Sequence, residues 1–434
     1  MQSAVMPEAA VLVQDAWRMK KLQALGVLCG FTAGAWLGTA EAPTKLVSIG
    51  VSPMVISLIM VIGVFLARWS LPALIVGTSS IRADIQRAPH LIIWALLAGA
   101  MWAVANTMTI FAIRDIGLSI AFPLWNSNSL LGIFWGFLFF RELRKAGWRR
   151  WTGVLGGALV MCFGAALLAV ASSTQAPVGH SMRGVWAALG AGILWGTMYI
   201  PYRKAYLSGM NPLSFVAFFT FGELGMMTTL AVSYLGVAPL WRELLSARGV
   251  LFWLMAGGFI WVIGDVFQQY SAKYLGISRG IPLSNSNQLW GLLWGIFVFG
   301  ELRGSGASTY MQVIGGSLLM MLGVGAIALS SATATEQAQW KEAALRESER
   351  YGMDKEHVKA RMRGMQAAGE SRSSRSLLDW LLVTIATGTF IFFASMTHAP
   401  SLPFNGAVAV LISATILLLL FVCGLALWRT TRFN

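Results

Sequence analysis

Side-chain amides in two nearly identical segments are the groups best suited to bind a polar solute. They are Asn126, Asn128, Asn285 and Asn287, with Gln288 beside the second pair. Each pair follows a proline, Pro123 or Pro282, at the same spacing. A proline lacks the backbone N–H and loosens the surrounding helix, which frees nearby carbonyl groups. Hydrogen bonding to an uncharged solute is therefore predicted. The alternative is that these amides bond between helices, since glycines at four-residue spacing follow each segment.

Two acidic residues lie well inside apolar stretches, where a carboxylate is costly and usually functional. Asp265 is the first choice for proton coupling, because burial favours the protonated form and hydration of a cavity releases the proton. Its counterpart in an internal repeat, Asn106, is an uncharged isostere that we expect to contact the solute. Glu223 is the second candidate. It serves equally well as a structural hydrogen-bonding or ion-pairing group.

Tryptophans near these polar groups are candidates for stacking on a ring-shaped solute. They are Trp102, Trp125, Trp261 and Trp290. Since the chain has 19 tryptophans, many must face lipid or the membrane interface instead. Three cysteines lie in apolar stretches without ligand-like spacing, so no metal or cofactor is predicted.

The elements that position these groups must be membrane helices. Of the 434 residues 56% are hydrophobic and 12% charged, which one soluble core cannot bury. Apolar stretches of about 20 residues are long enough to cross a bilayer. Twelve spans are predicted, at 22–42, 52–70, 91–112, 118–140, 151–172, 184–205, 212–235, 249–270, 276–299, 309–330, 377–397 and 405–428. We expect no removable signal peptide ahead of the first span.

An internal duplication organises the first ten spans. The run Pro123-Leu-Trp-Asn-Ser-Asn128 returns as Pro282-Leu-Ser-Asn-Ser-Asn287, an offset of 282 − 123 = 159 residues. Near the start of each half the offset is 158. A five-helix unit has an odd number of spans, so the second copy must enter the membrane from the opposite side, as in inverted-repeat transporters.

Basic residues indicate the orientation and argue against a nucleic-acid partner for a chain of net charge +14. Counting Lys and Arg at the span ends gives 15 on the N-terminal side and 6 opposite. The two sets are residues 18, 20, 21, 68, 82, 87, 141, 144, 145, 149, 150, 203, 204, 273 and 279, against 45, 114, 183, 242, 248 and 303. Both termini are therefore predicted to be cytoplasmic.

The predicted chain is an all-α polytopic membrane protein of the cytoplasmic membrane. Residues 1–21 form a cytoplasmic segment, 22–172 the first five-helix repeat and 184–330 the second, inverted repeat. Residues 331–376 form a basic cytoplasmic linker, in which a helix lying on the leaflet and a partly disordered chain are both open interpretations. Residues 377–434 add an accessory hairpin.

The repeat resembles the drug/metabolite transporter superfamily, whose ten-helix members have a glutamate at the end of the fourth helix of each repeat. Glu142 and Glu301 match it, as do the glycine pairs starting at Gly156 and Gly315. The Gly38-Thr-x-x-x-Pro-x-Lys run and the asparagine segments look most like the sugar-uptake branch of glucose/ribose porters and rhamnose/proton symporters. This resemblance covers roughly residues 20–330.

The resemblance implies a secondary transporter that imports a monosaccharide or polyol, a hexose or deoxyhexose, by proton symport. An exporter of metabolites or drugs and a solute-sensing receptor on the same fold are the alternatives. An enzyme is not expected, since metal clusters, nucleophile elbows and phosphate-binding loops are missing from the sequence. A homodimer stays an open possibility.

Overall fold

The computed structural model describes residues 8–47, 50–141, 147–175, 180–329, 334–365, 375–398 and 402–434. Within these ranges the regular structure is entirely helical, and nine helices are long and apolar enough to cross a membrane. The helices are α1 (Glu8–Leu46), α2 (Pro53–Ile75), α3 (Thr78–Arg87), α4 (Leu91–Ile116), α5 (Leu118–Trp125), α6 (Asn128–Phe140), α7 (Trp148–Gln175), α8 (His180–Leu207), α9 (Pro212–Leu235), α10 (Val237–Ser246), α11 (Leu251–Leu275), α12 (Ile277–Ser284), α13 (Asn287–Leu292) with a π-helical continuation (Leu293–Val298), α14 (Ala307–Ala328), α15 (Ala334–Arg350), α16 (Lys355–Met362), α17 (Leu377–Ser395) and α18 (Gly406–Thr431).

Helix boundaries follow from capping residues. Ser52 and Asn211 cap the starts of α2 and α9, each followed by a proline at the first helical position, where its missing N–H costs nothing. Gly117 and Gly276 end α4 and α11 with positive φ angles of 77° and 86°, a conformation that favours glycine. The next helix starts immediately after each of these two glycines.

Two of the predicted spans are not single helices. The stretch 118–140 is divided into α5 and α6 at Asn126-Ser127, and 276–299 is divided at Asn285-Ser286. The second stretch carries a further irregularity, the π-helical turn ending at Val298. The predicted span 184–205 lies within α8, which has 28 residues. The breaks leave backbone groups outside the regular ladder, which only a protein interior or a cavity can tolerate at membrane depth.

Contacts between the two halves come in matched pairs. Helix α1 packs on α11 as α8 packs on α4, and α2 packs on α11 as α9 packs on α4. Helices that correspond by the 159-residue offset also pack on each other, α7 on α14 and α2 on α9.

Glycines permit these crossings. A Cβ on Gly63 would collide with the carbonyl oxygen of Met255, and one on Gly222 with that of Leu96. Both glycines and both carbonyls differ by the same offset (222 − 63 = 255 − 96 = 159). Close backbone approach at small residues is the usual way in which helices pack in lipid.

The C-terminal region is folded against the bundle. In α15 and α16, Trp340 and Val358 are buried against α8 and its neighbours, so the described part of the 331–376 linker is two docked helices. Helix α17 packs on α2 and α18 on α1, where the sulfurs of Cys29 and Cys423 are 3.7 Å apart. Arg18 donates to the carbonyl of Arg363 at 3.0 Å, which places the N-terminal part of α1 beside the end of α16.

Four of the cations used in the orientation count are buried. Arg68 is not a surface cation at a span end, because it lies inside α2 with no exposed area. Arg203, Lys273 and Arg279 are buried as well. Without these four residues the count becomes 15 − 4 = 11 against 6, and the predicted orientation is unchanged.

Candidate functional site

A small cavity lies where the two broken spans meet. Its volume is about 30 Å³, room for about one water molecule. Six of the predicted residues line it: Trp125, Asn126, Asn128, Trp261, Asn285 and Asn287. The same wall contains Leu37, Glu41, Phe122, Trp195, Met198, Tyr199 and Gln268. We call this space the central cavity.

The four asparagines also bond to each other across the two halves. Asn126 donates to the Oδ1 atom of Asn287 at 2.6 Å, and Asn285 donates to that of Asn128 at 2.8 Å. Asn285 reaches the hydroxyl of Ser129 and the carbonyl of Asn126 as well. Solute contact and interhelical bonding are therefore compatible, since the amides that join the breaks also face the cavity.

Two atoms of the central cavity's lining residues are buried acceptors with no partner in the described part of the chain. They are Oδ1 of Asn126 and Oε2 of Glu41. Leaving an acceptor unpaired in the interior costs about 1–3 kcal/mol, so a ligand that donates hydrogen bonds would relieve this cost. Hydroxyl groups are such donors.

Four of the predicted solute-binding residues lie away from the central cavity wall. Asn106 donates to Ser57 at 2.8 Å, and Gln288 reaches the carbonyl of Ser317 at 3.4 Å. Trp102 packs edge-on against Trp261 with ring centroids 4.7 Å apart. Trp290 packs with Trp36 and Trp294 on the side that α18 covers.

Sequence reasoning missed Glu41 and Tyr199 as site residues. Glu41 lies in α1 with 2% of its surface exposed. Tyr199 is its counterpart in α8 (199 − 41 = 158), and its hydroxyl donates to Gln268 at 3.2 Å. An acidic residue inside the first apolar span is the signal that would have identified Glu41.

Asp265 and Glu223 flank a buried arginine. The guanidinium of Arg68 lies 2.7 Å from Oδ2 of Asp265 and 3.1 Å from Oε2 of Glu223, and none of the three side chains is exposed. Gln269 donates to the other oxygen of Asp265 at 3.0 Å. We call Arg68, Glu223 and Asp265 the ionic triad.

The ionic triad contacts the central cavity through an aromatic ring. The Arg68 guanidinium lies 5.2 Å from the centroid of Trp261, which lines the cavity. On its other side the guanidinium lies 4.2 Å from Phe219. Such cation–π contacts are strongest where water is excluded.

The repeat holds a neutral counterpart of the ionic triad. By the 159-residue offset, Met227 corresponds to Arg68, Val64 to Glu223 and Asn106 to Asp265. There Thr107 donates to the sulfur of Met227 at 3.3 Å. Of two repeat-related clusters, each built from both halves of the molecule, one is therefore charged and the other is neutral.

An ion pair joins the halves at the end of the bundle opposite Arg18. The Lys45 amine lies 3.2 Å from Oε1 of Glu301, and this oxygen also accepts from the N–H of Leu118 at the start of α5. A carboxylate is favourable at a helix N-terminus. Glu142, the counterpart of Glu301, lies outside the described residues.

The apolar helices and their buried polar centre define a multi-pass membrane protein. Residues 186–350 match the family model described as "Sugar transport protein". The match supports the resemblance to sugar-uptake proteins over residues 186–350 of this chain.

Curated relatives agree with this family. A "Putative sugar uptake protein" of Streptococcus pyogenes serotype M1 is 35% identical over 142 residues, 32% of this chain and 44% of the relative. One of Listeria monocytogenes is 27% identical over 35% of this chain and 48% of the relative. One of Lactiplantibacillus plantarum is 41% identical over 20% and 30%, respectively. The matched regions thus span less than half of each relative.

Proposed function

We propose that this protein is a secondary transporter that takes up a small neutral polyhydroxylated solute, a monosaccharide, by proton symport. The observation that carries the proposal is the amide-lined central cavity at the meeting point of two broken spans. Its lining residues offer neutral amides and unpaired acceptors, which suit hydroxyl groups better than charged or apolar solutes. The matches to proteins named for sugar uptake support the same solute class.

The matched contacts between halves support two inverted repeats of five spans each, α1–α7 and α8–α14, followed by the α17–α18 hairpin. In this count α5 and α6 form one broken span, as do α12 and α13, and the short helices α3 and α10 are not spans. With the charge count, the matched contacts favour ten helical spans plus two, and both termini in the cytoplasm. In the proposed alternating access, one half rotates against the other about the pseudo-twofold axis that relates α5–α6 to α12–α13.

The size of the central cavity indicates a closed state. A space for about one water molecule cannot hold a hexose, so the broken spans must separate before solute enters. Separation breaks the side-chain hydrogen bonds between Asn126 and Asn287 and between Asn285 and Asn128. The solute's hydroxyl groups replace these bonds, which makes the cost of opening depend on the solute.

We propose Glu41 as the proton-binding group, with Asp265 as the second candidate. Glu41 lines the central cavity and its Oε2 has no partner in the described residues, so its charge is compensated only when the cavity hydrates. Asp265 already has a partner in Arg68, and its protonation would require the ionic triad to rearrange. The two assignments predict different transport phenotypes for the variants Glu41→Gln and Asp265→Asn.

The test is uptake of labelled hexoses, deoxyhexoses and pentoses into proteoliposomes, with and without an inward proton gradient. In Glu41→Gln we expect gradient-driven accumulation to be lost while exchange of labelled for unlabelled sugar continues. Asp265→Asn is the comparison: the same phenotype there, with normal accumulation in Glu41→Gln, would move the coupling site to Asp265.

The assay tests sugar transport and proton coupling independently, so one hypothesis can be contradicted while the other stands. Accumulation that ignores the gradient contradicts coupling but keeps sugar transport. If no sugar moves in either direction, the uptake proposal is wrong; binding without flux would then indicate a receptor.

A further inference from the structure

A second cavity, of about 210 Å³, lies between the bundle and the docked helices α15 and α16. Helices α8 and α11 form one wall, and α15, α16 and residues of α1 form the other. We call it the basal cavity, since it lies at the end of the bundle that carries Arg18. Among the described residues that line it, five are basic and none is acidic: Arg203, Lys273, Lys341, Lys359 and Arg363.

Three buried donors in this wall have no acceptor in the described part of the chain. They are Nζ of Lys273, the hydroxyl of Tyr206 and Nε1 of Trp340. Their residues are 9%, 3% and 6% exposed. The central cavity differs, because its lining, among the described residues, combines two unpaired acceptors with one unpaired donor, Nε1 of Trp195. Donors grouped with positive charge call for a ligand that is anionic and rich in acceptor oxygens.

We propose that the basal cavity binds a phosphate ester. A phosphoryl group offers several acceptor oxygens and negative charge to Lys273, Tyr206 and Trp340. Apolar side chains of the same wall, among them Leu22, Leu207 and Ala344, seat the organic part of the ester. Two sources have this chemistry: a soluble phosphorylated metabolite and a phospholipid headgroup.

The ligand bridges two parts of the chain. Helices α8 and α11 reach from the central cavity, through Tyr199 and Gln268, to the basal cavity, through Tyr206 and Lys273. The opposite wall belongs to α15 and α16. A bound phosphate ester therefore holds these two helices across the ends of α8 and α11.

Binding is measured on the full chain in detergent, by calorimetry with inorganic phosphate, glycerol 3-phosphate and glucose 6-phosphate as probes. We expect at least one organic phosphate to bind. Lys273→Met should weaken it at least about tenfold, the loss expected for one charged hydrogen bond. Tyr206→Phe, which removes a single hydroxyl, is the milder variant if Lys273→Met does not fold.

Lys355→Gln is the matched control, because Lys355 lies on α16 outside the cavity wall and pairs with Glu349 at 2.6 Å. It should bind as the unaltered chain does. Thermal shifts in nanodiscs of phosphatidic acid or phosphatidylcholine separate the two sources: stabilisation by phosphatidic acid alone, lost in Lys273→Met, assigns the site to a lipid headgroup. The proposal is overturned if no phosphate compound binds, or if Lys273→Met, Tyr206→Phe and Lys355→Gln bind alike.

Discussion

The guanidinium of Arg68 in α2 lies 2.7 Å from the carboxylate of Asp265 in α11, with neither side chain exposed. This ion pair joins the two halves of the molecule, and Glu223 in α9 completes it from the opposite side. A buried ion pair is maintained by mutual compensation, and removal of one partner leaves an isolated charge in a medium of low dielectric.

Replacement of Arg68 by methionine, the residue at its repeat counterpart, should strongly destabilise the fold. The change leaves Glu223 and Asp265 buried without a cation, at a cost of about 3–5 kcal/mol. The triple variant Arg68→Met, Glu223→Val, Asp265→Asn copies the neutral counterpart and should recover most of that loss. Thermal unfolding in detergent measures both. A triple variant no more stable than Arg68→Met would contradict compensation.

Asn287→Ala should weaken sugar binding by about two- to tenfold. The change removes the acceptor for Asn126 and one amide of the central cavity, and each polar contact to a solute contributes roughly 0.5–1.5 kcal/mol. Gln288→Ala is the control, because this neighbouring residue faces Ser317 and not the cavity. Equilibrium binding of labelled sugar to both variants decides the matter. Equal losses would point to general loosening of α13.

Gly99→Ala should destabilise the crossing of α4 and α9. The added methyl group meets the carbonyl oxygen of Phe219, and overpacking of this kind costs about 1–3 kcal/mol. Gly225→Ala provides the comparison in α9, since a Cβ there meets no atom within 4 Å. Unfolding temperatures should separate the two variants. Identical temperatures would argue against the close approach.

Acidification should loosen the contact between His90 and Tyr351. Their rings stack with centroids 3.6 Å apart, and burial lowers the pKa of His90, with Lys204 and Arg350 acting the same way and Glu347 opposing them. The fold thus favours the neutral imidazole. This contribution is fully present above the ordinary value of about 6.5 and is lost as the pH falls through the lowered pKa.

Hydrogen exchange of residues 347–353 between about pH 8 and about pH 5, corrected for the intrinsic pH dependence of exchange, measures that loosening. Protection should fall on the acid side in the unaltered chain. His90→Phe keeps an aromatic ring but cannot titrate, so its protection should stay level. A parallel fall in His90→Phe would assign the effect to other groups.

The sequence alone predicted the membrane helices and the polar segments that meet in the central cavity. Hydropathy indicates each span locally, because lipid requires about 20 apolar residues to cross it. The duplication identified Asn126 and Asn285 as related positions, and both line the cavity. These inferences need only local composition and one repeated pattern.

Only the tertiary structure decided which buried polar groups face each other. Arg68 is an unremarkable cation near the end of an apolar run until α2 packs against α9 and α11, which puts two carboxylates beside it. In the sequence Glu41 is one of the acidic residues of α1. In the fold the broken spans bring the asparagines beside it, in the wall of one cavity. Residues 334–365 have no apolar span, yet Trp340 and Val358 are buried because α8 lies beside them. Burial and partners depend on residues distant in sequence, which no local pattern encodes.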